Sequence, residues 1–180
     1  MTDSPTPART LGVHHITLNG ADRQTSIDFW EGVLGMPFVF EQPNLDAPEV
    51  EHLYFDPGDG RLITVFTSET RKPTGHKSGT EPGAAHHLAF AVAPEAFAPT
   101  VERLRAAGHA VAVRDRGFMH SMYFREPLGH LIELAAYKFT APEGRTDAEV
   151  LAKAYEIRKA RGADAIETED VEAAVEALSG

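Results

Sequence analysis

Val13-His14-His15-Ile16-Thr17-Leu18 and Ala85-His86-His87-Leu88-Ala89-Phe90 open two copies of one pattern. Glu126-Pro127-Leu128-Gly129-His130-Leu131-Ile132-Glu133 closes the second copy, as Asp56-Pro57-Gly58-Asp59-Gly60-Arg61-Leu62-Ile63-Thr64 closes the first. Between opening and closing, each copy carries a helical stretch that runs into a glycine: Gly32-Val33-Leu34-Gly35 in one, Leu104-Arg105-Ala106-Ala107-Gly108 in the other. Three matches in the same order, at a nearly constant offset of about 70 residues, mark an internal repeat of one supersecondary unit.

Each copy reads strand, helix, then three strands. In the first, Val13–Asn19 alternates, with Ile16 and Leu18 on one face and His15 and Thr17 on the other. Ala21–Leu34 follows as a helix with Ile27, Trp30, Val33 and Leu34 at helical spacing, stopped by Gly35. Strands are expected over Pro37–Gln42, Val50–Phe55 and Arg61–Thr67. The second copy repeats this with a strand over 86–92, a helix over 94–107 bearing Phe97, Val101 and Leu104, and strands over 109–114, 118–125 and 129–137. The expected organisation is a loose leader over 1–10 and an α+β region over 11–139. That region comprises modules 11–67 and 85–139 and a Pro/Gly/Ser/Thr-rich linker over 68–84. A helical C-terminal extension spans 140–180. There Thr146-Asp147-Ala148-Glu149 spells a capping box ahead of the apolar stripe Val150, Leu151, Ala154, Ile157, and a second helix is expected over Glu169–Leu178.

Composition narrows the chemistry. The chain has 180 residues, 42% of them hydrophobic, enough for one real core and too few for two large ones. A net charge of -10 argues against a nucleic-acid partner. The absence of cysteine removes disulfides, thiolate nucleophiles and zinc–thiolate sites. No apolar run approaches the roughly 18 residues of a membrane helix, and Met1–Arg9 does not read as a signal peptide. The expectation is a soluble, cytoplasmic protein with a small-molecule substrate.

Three polar residues stand where strand alternation turns side chains away from the core. His15 lies opposite in phase to Ile16 and Leu18, His87 to Leu88, Phe90 and Val92, and Glu133 to Ile132 and Leu134. On the concave side of a curved sheet they would form a two-histidine, one-carboxylate set, suited to Fe(II) and also to Mn(II), Co(II), Ni(II) or Zn(II). His14 and His86 fall on the opposite face, and His120 shares the phase of Met122 and Phe124; none of the three is expected to be a ligand. Tyr123 lies ten residues before Glu133 across a Pro/Gly turn, hence on the neighbouring strand, where a phenol can move a proton. Thr64 holds in the first copy the position of Glu133 in the second, leaving places open for substrate and water. With Arg125, which could hold a substrate anion, it is the substrate-binding candidate.

These paired blocks, with His-His-Ile-Thr at one opening and Glu-Pro-Leu-Gly-His-Leu-Ile-Glu at the last closing, resemble the vicinal oxygen chelate superfamily. That superfamily includes glyoxalase I, bleomycin-resistance proteins, fosfomycin-resistance transferases and type I extradiol dioxygenases. The resemblance covers residues 11–138. It implies two paired βαβββ modules forming a metal-binding cup, with His15, His87 and Glu133 at the ligand positions. Thr64 stands where glyoxalase I has a fourth ligand. Tyr123, Glu126, Pro127, Gly129 and Glu133 match the extradiol dioxygenase signature, while Arg114 and Arg116 stand near the place of its usual histidine. By the same resemblance, small members are homodimers whose sites take His15 from one chain and His87 and Glu133 from the other. The leading expectation is a metal-dependent ring-cleaving dioxygenase acting on a catechol or hydroquinone, with Fe(II) foremost. A glyoxalase-like lyase or isomerase or a thiol transferase is the alternative, and a small-molecule binding or resistance protein the third.

Overall fold

A computed structural model describes residues 10–79 and 81–180. All but the last residue of the leader expected over 1–10 lies outside the described residues, as does Thr80 of the linker. By internal contacts the described residues divide into two compact units, one running up to Lys77 and including Glu126–Gly129, the other running from Ser78 to Arg125 and from His130 to Gly180.

Each unit carries one four-stranded mixed sheet. The first is built from β1 (His15–Asn19), β2 (Phe38–Asn44), β3 (Ala47–Phe55) and β4 (Leu62–Thr67), in the order β1-β4-β3-β2. The second is built from β5 (Leu88–Ala91), β6 (Ala112–Asp115), β7 (Met119–Arg125) and β8 (Leu131–Tyr137), in the order β5-β8-β7-β6. In both, the first strand runs parallel to the last and the remaining pairs are antiparallel. A parallel neighbour requires a crossover; in each unit the helical stretch after the opening strand is part of it. The repeat read in the sequence is therefore one βαβββ topology used twice.

The first helical stretch departs from expectation. It begins as α1 (Arg23–Ile27) and continues as a π-helical turn over Asp28–Val33. Adjacent residues diverge less around the wider π turn. Phe29 and Trp30 are thus buried side by side, edge to face at 5.4 Å, with Trp30 tilted against Phe55. Val33 and Leu34, expected in the core by helical spacing, are only half-buried. Asp22 caps α1, its Oδ1 accepting from the Thr25 amide at 3.0 Å. Strands β2 and β3 run longer than expected, joined through the short turn at Leu45 and Asp46, and β2 includes Pro43. The proline is tolerated because β2 is an edge strand.

In the second unit, α2 (Pro94–Ala106) packs Val101 and Leu104 beside Met122, Phe124, Ile132 and Leu134, the buried apolar face of the sheet. Shortening a buried leucine such as Leu104 to alanine removes about 2–5 kcal/mol. The extension forms α3 (Asp147–Arg161) and α4 (Thr168–Leu178). The capping box at Thr146 and Glu149 is made in both directions. Val150 and Ala154 of α3 pack with Val171 and Ala174 of α4, and Phe118 and Phe139 pack against them. The Arg161 guanidinium meets the buried Asp170 carboxylate at 2.8 Å and, with the Glu167 amide, holds it below the usual carboxylate range. Among the described residues no helix is long and apolar enough to cross a membrane.

Candidate metal centre

Register decides which side chains share the polar face of the second sheet. Ala112, Tyr123, Glu133 and Ala89 form one row across it; Arg114, Ser121, Ala135 and Ala91 form the next. Glu133 is thus flanked by Tyr123 on β7 and Ala89 on β5, and it is only 3% exposed. His87 precedes β5 by one residue, where the strand expected over 86–92 has not yet begun. Its ring is free to turn toward β8, and its Nε2 stands 2.9 Å from Glu133 Oε2. Its Nδ1 shares a hydrogen bond with His86 Nδ1 at 2.8 Å, which fixes the ring from behind.

Glu133 Oε1 is buried and has no hydrogen-bond partner. An unsatisfied buried carboxylate oxygen is destabilising by roughly 1–3 kcal/mol or more, and a cation beside it reverses the sign of that term. An imidazole nitrogen and a carboxylate, convergent and with one oxygen unspent, fit a divalent metal. Among the described residues no group of three or more His, Asp or Glu side chains is gathered in a way that could hold a metal ion. His87 and Glu133 come together within the second unit. His15 belongs to the first, exposed at the start of β1, with its Nδ1 2.8 Å from that of His14.

Tyr123 faces the same way as Glu133, its ring perpendicular to His87 at 6.0 Å. Arg116 Nη2 donates to the Tyr123 hydroxyl at 3.3 Å, and the guanidinium lies over the phenol ring at 5.7 Å. That hydrogen bond holds the Arg116 proton more tightly than usual. Arg114, Arg116, His86, His87 and Tyr123 line a cavity of about 310 Å³. Arg125 ends β7, half-buried and in phase with Tyr123. The arginines that line this cavity are instead Arg114 and Arg116, which the resemblance to the dioxygenase signature sets near the place of a histidine. Their side-chain direction depends on the β6–β7 turn, which no local motif announced.

A larger cavity, about 600 Å³, is lined by His87 as well. Ala89, Ala91 and Ala135 floor it, Glu133 and His87 stand at one part of it, and Met119 and Tyr137 border it. Three alanines at alternate positions on a polar-phase face were readable as a signal of open space. Thr140, Ala141 and Asp147 of the C-terminal extension also line it, which local sequence does not signal because it depends on long-range packing.

The first sheet repeats this register with different residues. Thr17, Thr64 and Tyr54 occupy the row of Ala89, Glu133 and Tyr123. Thr64 is buried and donates from Oγ1 to Thr17 Oγ1 at 2.8 Å. Tyr54 shares a hydrogen bond with His52 Nδ1 at 2.9 Å and stacks on Phe40 at 4.0 Å. Burial first, and the neighbouring charge of His15 second, push the His52 imidazole below its usual value. Sequence reading gave neither Tyr54 nor His52 a role. Of the remaining histidines, His120 is exposed and lies against Phe97 at 5.8 Å, while His109 packs on Phe124.

Comparison with known proteins agrees with this architecture. Residues 12–134 match the family model for the glyoxalase/bleomycin resistance protein/dioxygenase superfamily. Over 59 residues the chain is 41% identical to a Bacillus subtilis (strain 168) protein named "Putative ring-cleaving dioxygenase MhqO"; the match covers 33% of this chain and 19% of the relative. It therefore spans only about a fifth of that relative's length. The glutathione transferase FosA of Serratia marcescens is 32% identical over 124 residues, 68% of this chain and 78% of FosA. The crystal structure of a B. subtilis protein named "putative dioxygenase" superposes with a TM-score of 0.60 at 27% identity, covering 78% of this chain and 45% of that one. The fosfomycin resistance protein FosX of Listeria monocytogenes, crystallised with Mn(II) and sulfate, shares the fold at 21% identity and a TM-score of 0.54, covering 73% of this chain and 96% of FosX. With the family model matching well over half of its length and both sheets in βαβββ order, the chain belongs to the glyoxalase/bleomycin resistance protein/dioxygenase superfamily.

Proposed function

We propose that this protein is a metal-dependent dioxygenase that cleaves the ring of a small dihydroxylated aromatic of the catechol or hydroquinone type. The observation that carries the reading is the buried Glu133 carboxylate, with one oxygen on His87 and the other without a partner. His87 and Glu133 hold the metal, and His15 completes the set in a homodimer whose chains share their sites. A bound Fe(II) supplies the one-electron chemistry through which O2 reacts with an electron-rich ring; Mn(II), Co(II), Ni(II) and Zn(II) suit the same donors.

The chain's own residues account for the rest. The alanine floor accepts a flat ring where a larger side chain would exclude it. Tyr123, beside His87 and opposite Glu133, takes a proton from a substrate hydroxyl or returns one, and Arg116 holds the phenol in place for that exchange. Of the two substrate-contact candidates read in the sequence, Thr64 is buried and already bonded to Thr17, and Arg125 is among the residues lining neither cavity, so Arg114 and Arg116 take the anion-holding part in this reading. Relatives named as ring-cleaving dioxygenases support it. The test is metal analysis of the purified protein, then O2 uptake with a panel of catechols and hydroquinones. Near one Fe or Mn per chain and consumption of O2 are expected; metal binding without O2 uptake on any member of the panel removes the dioxygenase reading.

A second reading has its own support. FosA is similar over most of both chains, and Arg114 and Arg116 suit an anionic substrate. In that reading the metal acts as a Lewis acid for a thiol transfer or a lyase or isomerase reaction. Turnover under strictly anaerobic conditions distinguishes it.

A further inference from the structure

The larger cavity is not built from the βαβββ module alone. Phe139, Thr140, Ala141 and Asp147 line it together with His87 and Glu133. These four come from the chain after β8 and from the first turn of α3, beyond the residues 12–134 that match the family model. Their position along the cavity follows from β8. Glu133 and Tyr137 are four residues apart on one face of the strand, about 13 Å at the rise of an extended chain. Tyr137 stacks on Phe139 at 4.8 Å, and its phenol is held above its usual value by burial first and by the charge of Asp147 second. Phe139 and Asp147 therefore stand at the Tyr137 end, away from the metal-binding pair.

This wall is anchored. Phe139 and Ala141 pack into the apolar cluster formed by α3 and α4. Thr168 Oγ1 donates to the Gly117 carbonyl at 2.9 Å, which ties the start of α4 to the β6–β7 turn. Gly117 has φ +82°, and any Cβ there would overlap the Ile166 carbonyl. Lys138 Nζ meets Asp115 at 2.7 Å across the same corner. The extension has one seat on the second sheet.

We infer that residues 139–147 form the distal wall of the substrate cavity and set the length of the substituent it accepts. The ligand is an aromatic ring whose apolar substituent runs along the alanine floor toward Tyr137. The inference rests on reading this cavity as the substrate site.

Thr140 gives the cleanest test, because it is exposed to the cavity and is not one of the residues packed into the α3–α4 cluster. In Thr140→Trp the added bulk enters the cavity rather than the core, and Thr140→Leu provides a smaller step should the larger one perturb folding. Catechol and 4-butylcatechol are compared for affinity to the metal-loaded protein. Binding of 2-naphthol to the metal-free protein is followed by ligand-observed NMR. Thr140→Trp should lower the affinity ratio of 4-butylcatechol to catechol by about tenfold, the discrimination expected when a methylene or more is excluded from an apolar pocket. It should weaken 2-naphthol in parallel. An unchanged ratio together with unchanged 2-naphthol binding overturns the inference. Because 2-naphthol needs neither metal nor O2, its loss in the variant upholds the wall even if the wild type consumes no O2 with any catechol.

Discussion

The two sheets share one topology and one register, yet their polar faces have opposite characters. In the first, the row Thr17–Thr64–Tyr54 closes on itself. The two threonines bond to each other, Tyr54 bonds to His52, and Phe40, Tyr54, His52 and Phe66 stack side by side. In the second, the equivalent row carries Ala89, Glu133 and Tyr123, and the next one Ala135 where the first sheet has Phe66. Alanines leave space, and the carboxylate keeps an unspent oxygen. A duplicated scaffold thus supplies a filled face and an open one, and the residues opposite Tyr54 and Tyr123 decide which is which.

The largest effect should come from Glu133. Glu133→Gln should weaken metal affinity by a hundredfold or more, beyond the 10–100-fold range of residues that merely support a ligand. In chelator it should make the metal-free protein more stable by about 1 kcal/mol, because a buried charge without a full set of partners is removed. Equilibrium dialysis and urea denaturation read the two halves, and unchanged metal binding would break the contrast drawn between the sheets.

Tyr123→Phe should lower kcat by about a hundredfold at unchanged metal content, the lower end of the range for a positioned acid–base group. Its counterpart Tyr54→Phe should leave kcat within a few-fold of wild type. Equal losses in the two variants would mean that the faces do not differ in the way described. Ala135→Phe gives the second sheet the residue of the first. It should reduce substrate affinity by about tenfold or more with metal retained and stability little changed, because the ring enters open space.

The smallest effect concerns the helices. Asp22 caps α1, whereas Ala93 precedes α2 without a side-chain cap. The Thr25 amide, then the Thr25 hydroxyl and Lys72, hold the Asp22 carboxyl at about 2, against burial, which acts in the opposite direction. A depressed carboxyl stabilises the fold above its unfolded value of 3.8, and that contribution is lost as pH falls toward 2. Asp22→Ala should therefore cost about 1 kcal/mol at pH 7 and progressively less in urea titrations between pH 4 and 2. A pH-independent difference would assign the effect to packing instead.

Much of this was legible in the chain. Repetition gave the two modules, and alternation placed Tyr123 and Glu133 on one face, where register now sets them directly opposite each other. What was not legible depends on contacts distant in sequence or on departures from regular geometry. The π turn that buries Phe29 beside Trp30 breaks the helical period from which Val33 and Leu34 were assigned to the core. His87 stands just outside β5, which starts at Leu88 and not at 86, and its ring meets Glu133. Arg116 reaches Tyr123 from the turn beyond β6, and the 139–147 wall exists only once α3 and α4 have packed.

Phe139 and Ala141 belong at once to the cavity lining and to the apolar cluster beneath the terminal helices. Ligand occupancy and the docking of α3 and α4 are therefore thermodynamically linked. A ligand present at about a hundred times its dissociation constant adds roughly 2.7 kcal/mol to every opening reaction that must first empty the cavity. Amide exchange in α3 and α4, outside the βαβββ module that carries His87 and Glu133, then becomes a reporter of what the cavity holds.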